Sequence, residues 1–461
     1  MIGTGLFIGG NSGSGVSSLA LDAARNRRVI VVGDSFMFRH TFSSGSGVWN
    51  RAAGGSGNRY LVVGELNWLR YLTHQSFDFD GTGNYGIVGQ KTPEIVARLR
   101  GILAKDDADT IVMPSSINGF LANNPNVVSE ELGAIETAYQ LCRAAGRFLI
   151  LETPSAGGDS SGSVFPNANM NRARLHVRRA MREIYRGKPG VCVVDMEPGY
   201  ANPASGDGRA LDGMVTSRAG GVAAAPLHTT GLGAYQRALR LLPVFQARFP
   251  ISAGLTAMTN TDSFDAVYNP SGSRSSNPAL DSSGGTPGTG GSGTVASGWI
   301  GGHGADTGHT RAYSKVTGPN TGRPVQRIVL GGTMMSNAEF ALLLMNLSGR
   351  SVGDRVRLAV EFDGWSGVQN VEAISPSINP NTSVYSGGVA DMSYIDAHAA
   401  DRSANDNPSG NLPASVGPGL MLTPAFVLTA ATPRIILGAR ALNGRTIGGT
   451  IDVLNMALIA A

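Results

Sequence analysis

Gly33-Asp34-Ser35 closes an apolar run, Arg28-Val29-Ile30-Val31-Val32. A serine at the carboxyl end of a buried strand can act as a nucleophile when a base and an oxyanion site lie within reach. Three later segments carry residues suited to those tasks. Asn84-Tyr85-Gly86-Ile87-Val88-Gly89-Gln90-Lys91-Thr92 combines amide and glycine turn chemistry. Pro114-Ser115-Ser116-Ile117-Asn118-Gly119 follows an apolar run ending at Met113. Pro226-Leu227-His228-Thr229-Thr230-Gly231 places a histidine, able to accept and return a proton near neutral pH, just before a helical pattern.

The surrounding pattern supplies the elements that would position them. Strand-like runs at Arg28–Gly33, Arg59–Val63, Asp109–Pro114, Arg147–Glu152 and Val191–Asp195 alternate with helical segments. The helices are expected at Thr92–Leu103, with Thr92 as N-cap and Pro93 at its first position, and at Ser129–Ala145, Met170–Arg186 and Gly233–Phe249. Such alternation predicts a doubly wound α/β fold, a parallel sheet covered by helices on both faces, over residues 28–250. Residues 1–27 are a Gly/Ser-rich arm and 251–276 a linker. From 277 to 461 the helical period gives way to alternation of period two, as in Val356, Leu358, Val360 and Phe362, and the prediction is an antiparallel β-sandwich.

Taken together, the four segments resemble the SGNH (GDSL-type) hydrolase family. The resemblance implies a three-layer, flavodoxin-like fold and serine ester hydrolysis without a cofactor or metal. Carried over position by position, it makes Ser35 the nucleophile and His228 the base, with Gly89, Asn118 and the Ser35 N–H forming the oxyanion hole. The chemistry is consistent: each oxyanion donor is worth about 3–4 kcal/mol, a glycine N–H can approach closely, and an amide donates at any working pH. The chain departs from the family in two places. Gly119 follows Asn118 where aspartate is usual, and Ala225 stands three residues before His228, where an aspartate usually orients the ring. Asp212 is the nearest substitute by pattern, with Asp195, Asp207 or a backbone carbonyl as alternatives.

The second half resembles, more loosely, the carbohydrate-binding, jelly-roll modules of phage and prophage tail proteins. That likeness implies a virion-associated deacetylase of capsule, exopolysaccharide or O-antigen, partnered by other tail proteins and trimeric by analogy. The alternatives are a catalytically inactive tail or receptor-binding protein, or an extracellular or cytoplasmic bacterial enzyme. Trp299 and Trp365 fit either sugar stacking or a core, and the arginines of the helix Met170–Arg186 fit either an anionic-glycan site or a solvated face.

Composition narrows the classes. A net charge of +4 over 461 residues gives no concentrated basic patch for nucleic acid. No apolar run reaches membrane-spanning length, and the first residues lack the basic start and apolar core of a secretion signal. Cys142 and Cys192 lie in apolar stretches and are expected to be buried free thiols. His303 and His309 flank Asp306 without a second ligand pair, so no metal is expected.

Overall fold

The computed structural model describes residues 24–42, 59–60, 64–216, 227–250, 258–303, 308–379, 390–395 and 412–461, apart from a few positions within those spans. Five strands form one parallel sheet: β1 (Val29–Gly33), β2 (Asn84–Gly86), β3 (Thr110–Pro114), β4 (Phe148–Glu152) and β5 (Val191–Val194). Their order is β2-β1-β3-β4-β5. The chain therefore reverses its direction of winding between β1 and β3, where open α/β sheets bind ligands at the carboxyl ends of their strands.

Side-chain alternation along β1 divides the core. Val29 and Val31 join α2 (Glu65–Leu72) and α7 (Gly231–Arg248) on one face. Ile30 and Val32 join α3 (Thr92–Lys105) and α5 (Val127–Ala144) on the other. Both faces are buried, which is why the central strands read as unbroken apolar runs. A further helix, α6 (Ala168–Ile184), packs beside α5 and leads into β5.

Two sequence expectations change. Arg59–Val63 does not supply the sheet's second strand: Arg59 and Tyr60 pair antiparallel with Phe42 and Thr41, and 61–63 lie outside the described residues. The strand is instead Asn84–Gly86, a half-exposed edge with no apolar run to announce it. Helix α3 is capped by Lys91, whose N–H donates to the Glu94 carboxylate at 2.8 Å; Thr92 is already helical and its hydroxyl is turned to another task.

The rest of the chain forms two predominantly antiparallel sheets. The first has the order β6 (Gly291–Gly293), β8 (His309–Thr317), β9 (Pro324–Gly332), β15 (Gly448–Ala460), β11 (Arg355–Gln369) and β13 (Gly419–Leu422). The second runs β7 (Ile300–His303), β10 (Ala338–Asn346), β14 (Arg434–Ala441) and β12 (Val371–Asn379). Val356, Leu358 and Val360 of the first share one buried cluster with Ile374, Ile378 and Leu437 of the second. Within the stretch read as a linker, Arg274 donates its N–H to the Leu458 carbonyl at 2.6 Å, so this part lies along β15.

The same apolar cluster continues into α2 and α7, so the two halves meet through packed rings. Trp68 lies 6.0 Å and Tyr71 5.6 Å, centroid to centroid, from the Trp365 ring. Tyr71 donates its hydroxyl to the Gly417 carbonyl at 3.0 Å, and Gln75 donates to that of Leu420 at 2.7 Å. Trp299 and Trp365 are both buried, which places them in the core and leaves no open ring for sugar stacking.

Candidate functional site

Ser35 is the first residue of α1 (Ser35–Phe38), immediately after β1. The turn is shaped from within. The Asp34 carboxylate accepts the Phe36 N–H at 3.0 Å, and the Asp34 carbonyl accepts the Phe38 N–H at 2.9 Å. A Cβ at Gly33 would lie 2.4 Å from Met37 Cγ, so a side chain at this strand end would displace Met37. Burial pushes the Asp34 carboxyl above the usual carboxylate range, although its hydrogen bonds oppose the shift.

His228 lies in a two-residue strand paired with Val215–Thr216, and Thr230 then caps α7 by accepting the Gly233 N–H at 3.0 Å. This strand pair sets the imidazole at the end of β1. His228 Nε2 and Ser35 Oγ are 2.9 Å apart, and the Phe36 ring stands 5.6 Å from the imidazole. A hydroxyl in this contact with a neutral imidazole can lose its proton as it attacks an electrophile.

Gly89 and Asn118 come from the neighbouring strand ends. Gly89 has φ +80°, and a Cβ there would meet nothing within 4 Å. The position thus calls for glycine because of its left-handed backbone, not because of close approach. Crowding falls instead on Gly86, where a Cβ would sit 2.1 Å from the Phe38 nitrogen. Asn118 opens α4 (Asn118–Leu121), and its Nδ2 donates to the Gln90 carbonyl at 3.0 Å, with Asp34 Oδ2 at 3.5 Å.

Several residues without a catalytic signature in the sequence join these segments. Ser116 Oγ lies 2.7 Å from Asp34 Oδ2 and 2.8 Å from the Gln90 carbonyl. Arg98 donates to the Gly33 carbonyl at 3.0 Å, to the Gln90 side chain at 2.8 Å and to the Tyr85 carbonyl. Glu131, 1% exposed, accepts the Thr92 hydroxyl at 2.6 Å and the Ser115 hydroxyl at 2.8 Å on the same oxygen.

Burial pushes the Glu131 carboxyl from 4.5 up to about 7, with a smaller contribution from the nearby Asp34 charge. Its folded value lies above its unfolded one, so the stability tied to its proton is complete below 4.5 and lost as pH rises through about 7. Glu131→Gln retains an acceptor oxygen but cannot ionise. Urea unfolding at pH 4.5 and pH 8 should show the variant gaining roughly 3 kcal/mol on wild type across that interval.

The carboxylates considered for orienting His228 are engaged elsewhere. Asp212 Oδ1 accepts the Ser160 N–H at 2.9 Å, and the structure does not join it to the His228 ring. Asp195 forms a two-point pair with Arg178, at 2.8 and 2.7 Å, and Asp207 accepts from Arg209 at 2.9 Å. The Ala225 position lies outside the described residues. Asp212→Asn preserves the bond to Ser160, so turnover of a small acetyl ester should stay within about threefold of wild type, and a loss of 100-fold would restore Asp212 as the orienting group. Three arginines of α6 are similarly occupied: Arg178 and Arg182 meet Asp195, and Arg179 meets Glu183.

No protein-family model and no curated protein matches the chain. Solved structures do match its first half. One is a carbohydrate acetylesterase family member from Sinorhizobium meliloti, with 15% identity and TM-score 0.34, covering 48% of this chain and 99% of that one. Another is the aryl esterase of M. smegmatis, with 12% identity and TM-score 0.33, covering 48% and 99%. A variant of an acetyl-xylooligosaccharide esterase from Geobacillus matches with 15% identity and TM-score 0.32, covering 49% and 95%.

Proposed function

We propose that the chain is a serine carboxylester hydrolase of the SGNH type that removes acetyl groups from bacterial surface glycan. The observation that carries this reading is the 2.9 Å contact between Ser35 Oγ and His228 Nε2 at the carboxyl end of a central parallel strand. Ser35 Oγ attacks the ester carbonyl carbon while its proton passes to His228 Nε2. The developing oxyanion takes hydrogen bonds from the Ser35 N–H, the Gly89 N–H and the Asn118 Nδ2 hydrogen not given to the Gln90 carbonyl, which leaves its long 3.5 Å contact with Asp34. His228 then protonates the departing alcohol, and the acyl-serine is released by water activated in the same way.

The glycan preference rests on the β-rich second half, fixed against the hydrolytic half through α2, which would present a long polymer to Ser35. Within this reading the protein is carried on a phage tail as a trimer. The inactive alternative, a tail module that binds without cleaving, is disfavoured by the retained serine–histidine contact.

The test is acetate release from O-acetylated capsule or O-antigen, together with labelling by a fluorophosphonate. Release and labelling are the expected results. A folded protein that binds polysaccharide but is neither labelled nor releases acetate would be the inactive module.

A further inference from the structure

Glu131 is a buried carboxyl with no basic side chain among the groups that shift it; the charged group facing it is Asp34. An apolar residue would fill that space without the cost of desolvating a carboxylate. Its hydrogen bonds indicate what the carboxylate provides. Oε2 holds the hydroxyls of Thr92 and Ser115, on two different segments. Thr92 Oγ1 in turn accepts the Ser116 N–H at 2.9 Å. Ser116 Oγ accepts the Asn118 N–H at 3.2 Å and sits 2.8 Å from the Gln90 carbonyl, which also receives Asn118 Nδ2.

This chain of bonds therefore begins at Glu131 and ends on both flanks of the oxyanion site, at Gln90 beside Gly89 and at Asn118 itself. Space is reserved for it: a Cβ at Gly119 would lie 2.6 Å from Glu131 Oε1. We propose that Glu131 is a positioning residue for the reaction, fixing through Thr92, Ser115 and Ser116 the relative placement of the Gly89 and Asn118 donors. The proposal rests on the esterase reading above. Glu131 touches no substrate; it sets the spacing at which two donors converge on one oxygen, and such donors act chiefly on the transition state.

The experiment compares steady-state hydrolysis of p-nitrophenyl acetate by wild type, Glu131→Ala, Glu131→Gln and Thr92→Val. Glu131→Ala and Thr92→Val are expected to lower kcat by about 10- to 100-fold with KM within about twofold, and fluorophosphonate labelling should slow in parallel. Glu131→Gln, which keeps an acceptor for both hydroxyls, is expected to restore kcat to within about threefold of wild type. If Glu131→Ala does not fold, Thr92→Val breaks the same chain at its next bond and decides the matter. Undiminished kcat in Glu131→Ala or Thr92→Val, or a loss confined to KM, overturns the positioning role while the esterase reading stands. A folded wild type that neither hydrolyses the ester nor takes the label overturns both.

Discussion

Ser35→Ala is expected to abolish ester hydrolysis, lowering kcat by on the order of 10⁴- to 10⁶-fold, and to eliminate fluorophosphonate labelling, while the protein remains folded. The retained fold follows from what the hydroxyl does. Its hydrogen bond is to His228, a half-buried side chain that water can serve instead. The turn itself is held by backbone and by Asp34, through the N–H groups of Phe36 and Phe38, and these are untouched by removing Oγ. The stability cost should therefore be about 1 kcal/mol or less. Circular dichroism and a thermal melt check the fold, and turnover of a small acetyl ester checks the chemistry. Hydrolysis persisting in the variant would place the reaction at another site. Wild-type labelling without turnover would instead leave a nucleophile whose acyl-enzyme is not released.

The site was partly legible in the sequence because its main members lie beside strong local signals. Ser35 follows an unbroken apolar strand, and His228 precedes a long amphipathic helix. Asn118 follows β3 by the same logic. What escaped was whatever depends on distant partners or on an element too short to have a pattern. The strand Asn84–Gly86 has three half-exposed residues, and only its pairing with β1 makes it a strand. Thr92 looks like an N-cap from its neighbours, yet its hydroxyl is drawn to a carboxylate 39 positions away. Asp212 followed from the pattern of an interrupted motif, and its side chain is turned instead to a backbone N–H on another loop. The second half announced its strands through period two but not the burial of both faces of β11, where Glu361 and Asp363 lie inside with the apolar residues.

Arg237 is the clearest case of a residue whose role no local pattern could give, and its removal should be among the most costly in the chain. It lies on α7 and is 1% exposed. Its Nη2 lies 2.5 Å from Glu152 at the end of β4 and 3.3 Å from Glu65 at the start of α2, partners 85 and 172 positions away. It also donates to Ser155, and its guanidinium lies 5.4 Å from the Phe36 ring that flanks both Ser35 and His228. One positive charge serves one ionised carboxylate. Burial opposes ionisation at both glutamates; Arg237 and then His40 outweigh it at Glu65 and hold that carboxyl below its usual range, whereas Glu152 is pushed up to about 8.

Arg237→Met fills similar volume but leaves Glu65 buried against Glu152, with His40 at 3.6 Å as the basic neighbour, and burial holds the His40 imidazole below its usual range. The expected cost is about 3–5 kcal/mol at pH 8, read by urea unfolding. The sign of its pH dependence follows from Glu65. In wild type the depressed value contributes stability that is present above pH 4.5 and lost as pH falls through the folded value. In the variant, burial without Arg237 raises the carboxyl instead, so stability is lost as pH rises, and the gap to wild type should narrow toward pH 4.5. Adding Glu65→Gln and Glu152→Gln should recover much of the loss, since an uncharged buried cluster no longer needs the guanidinium. A cost under about 1 kcal/mol, or a gap independent of pH, would mean that water or a rearranged His40 replaces Arg237. The turn at Ser35 would then stand without the charge beneath it.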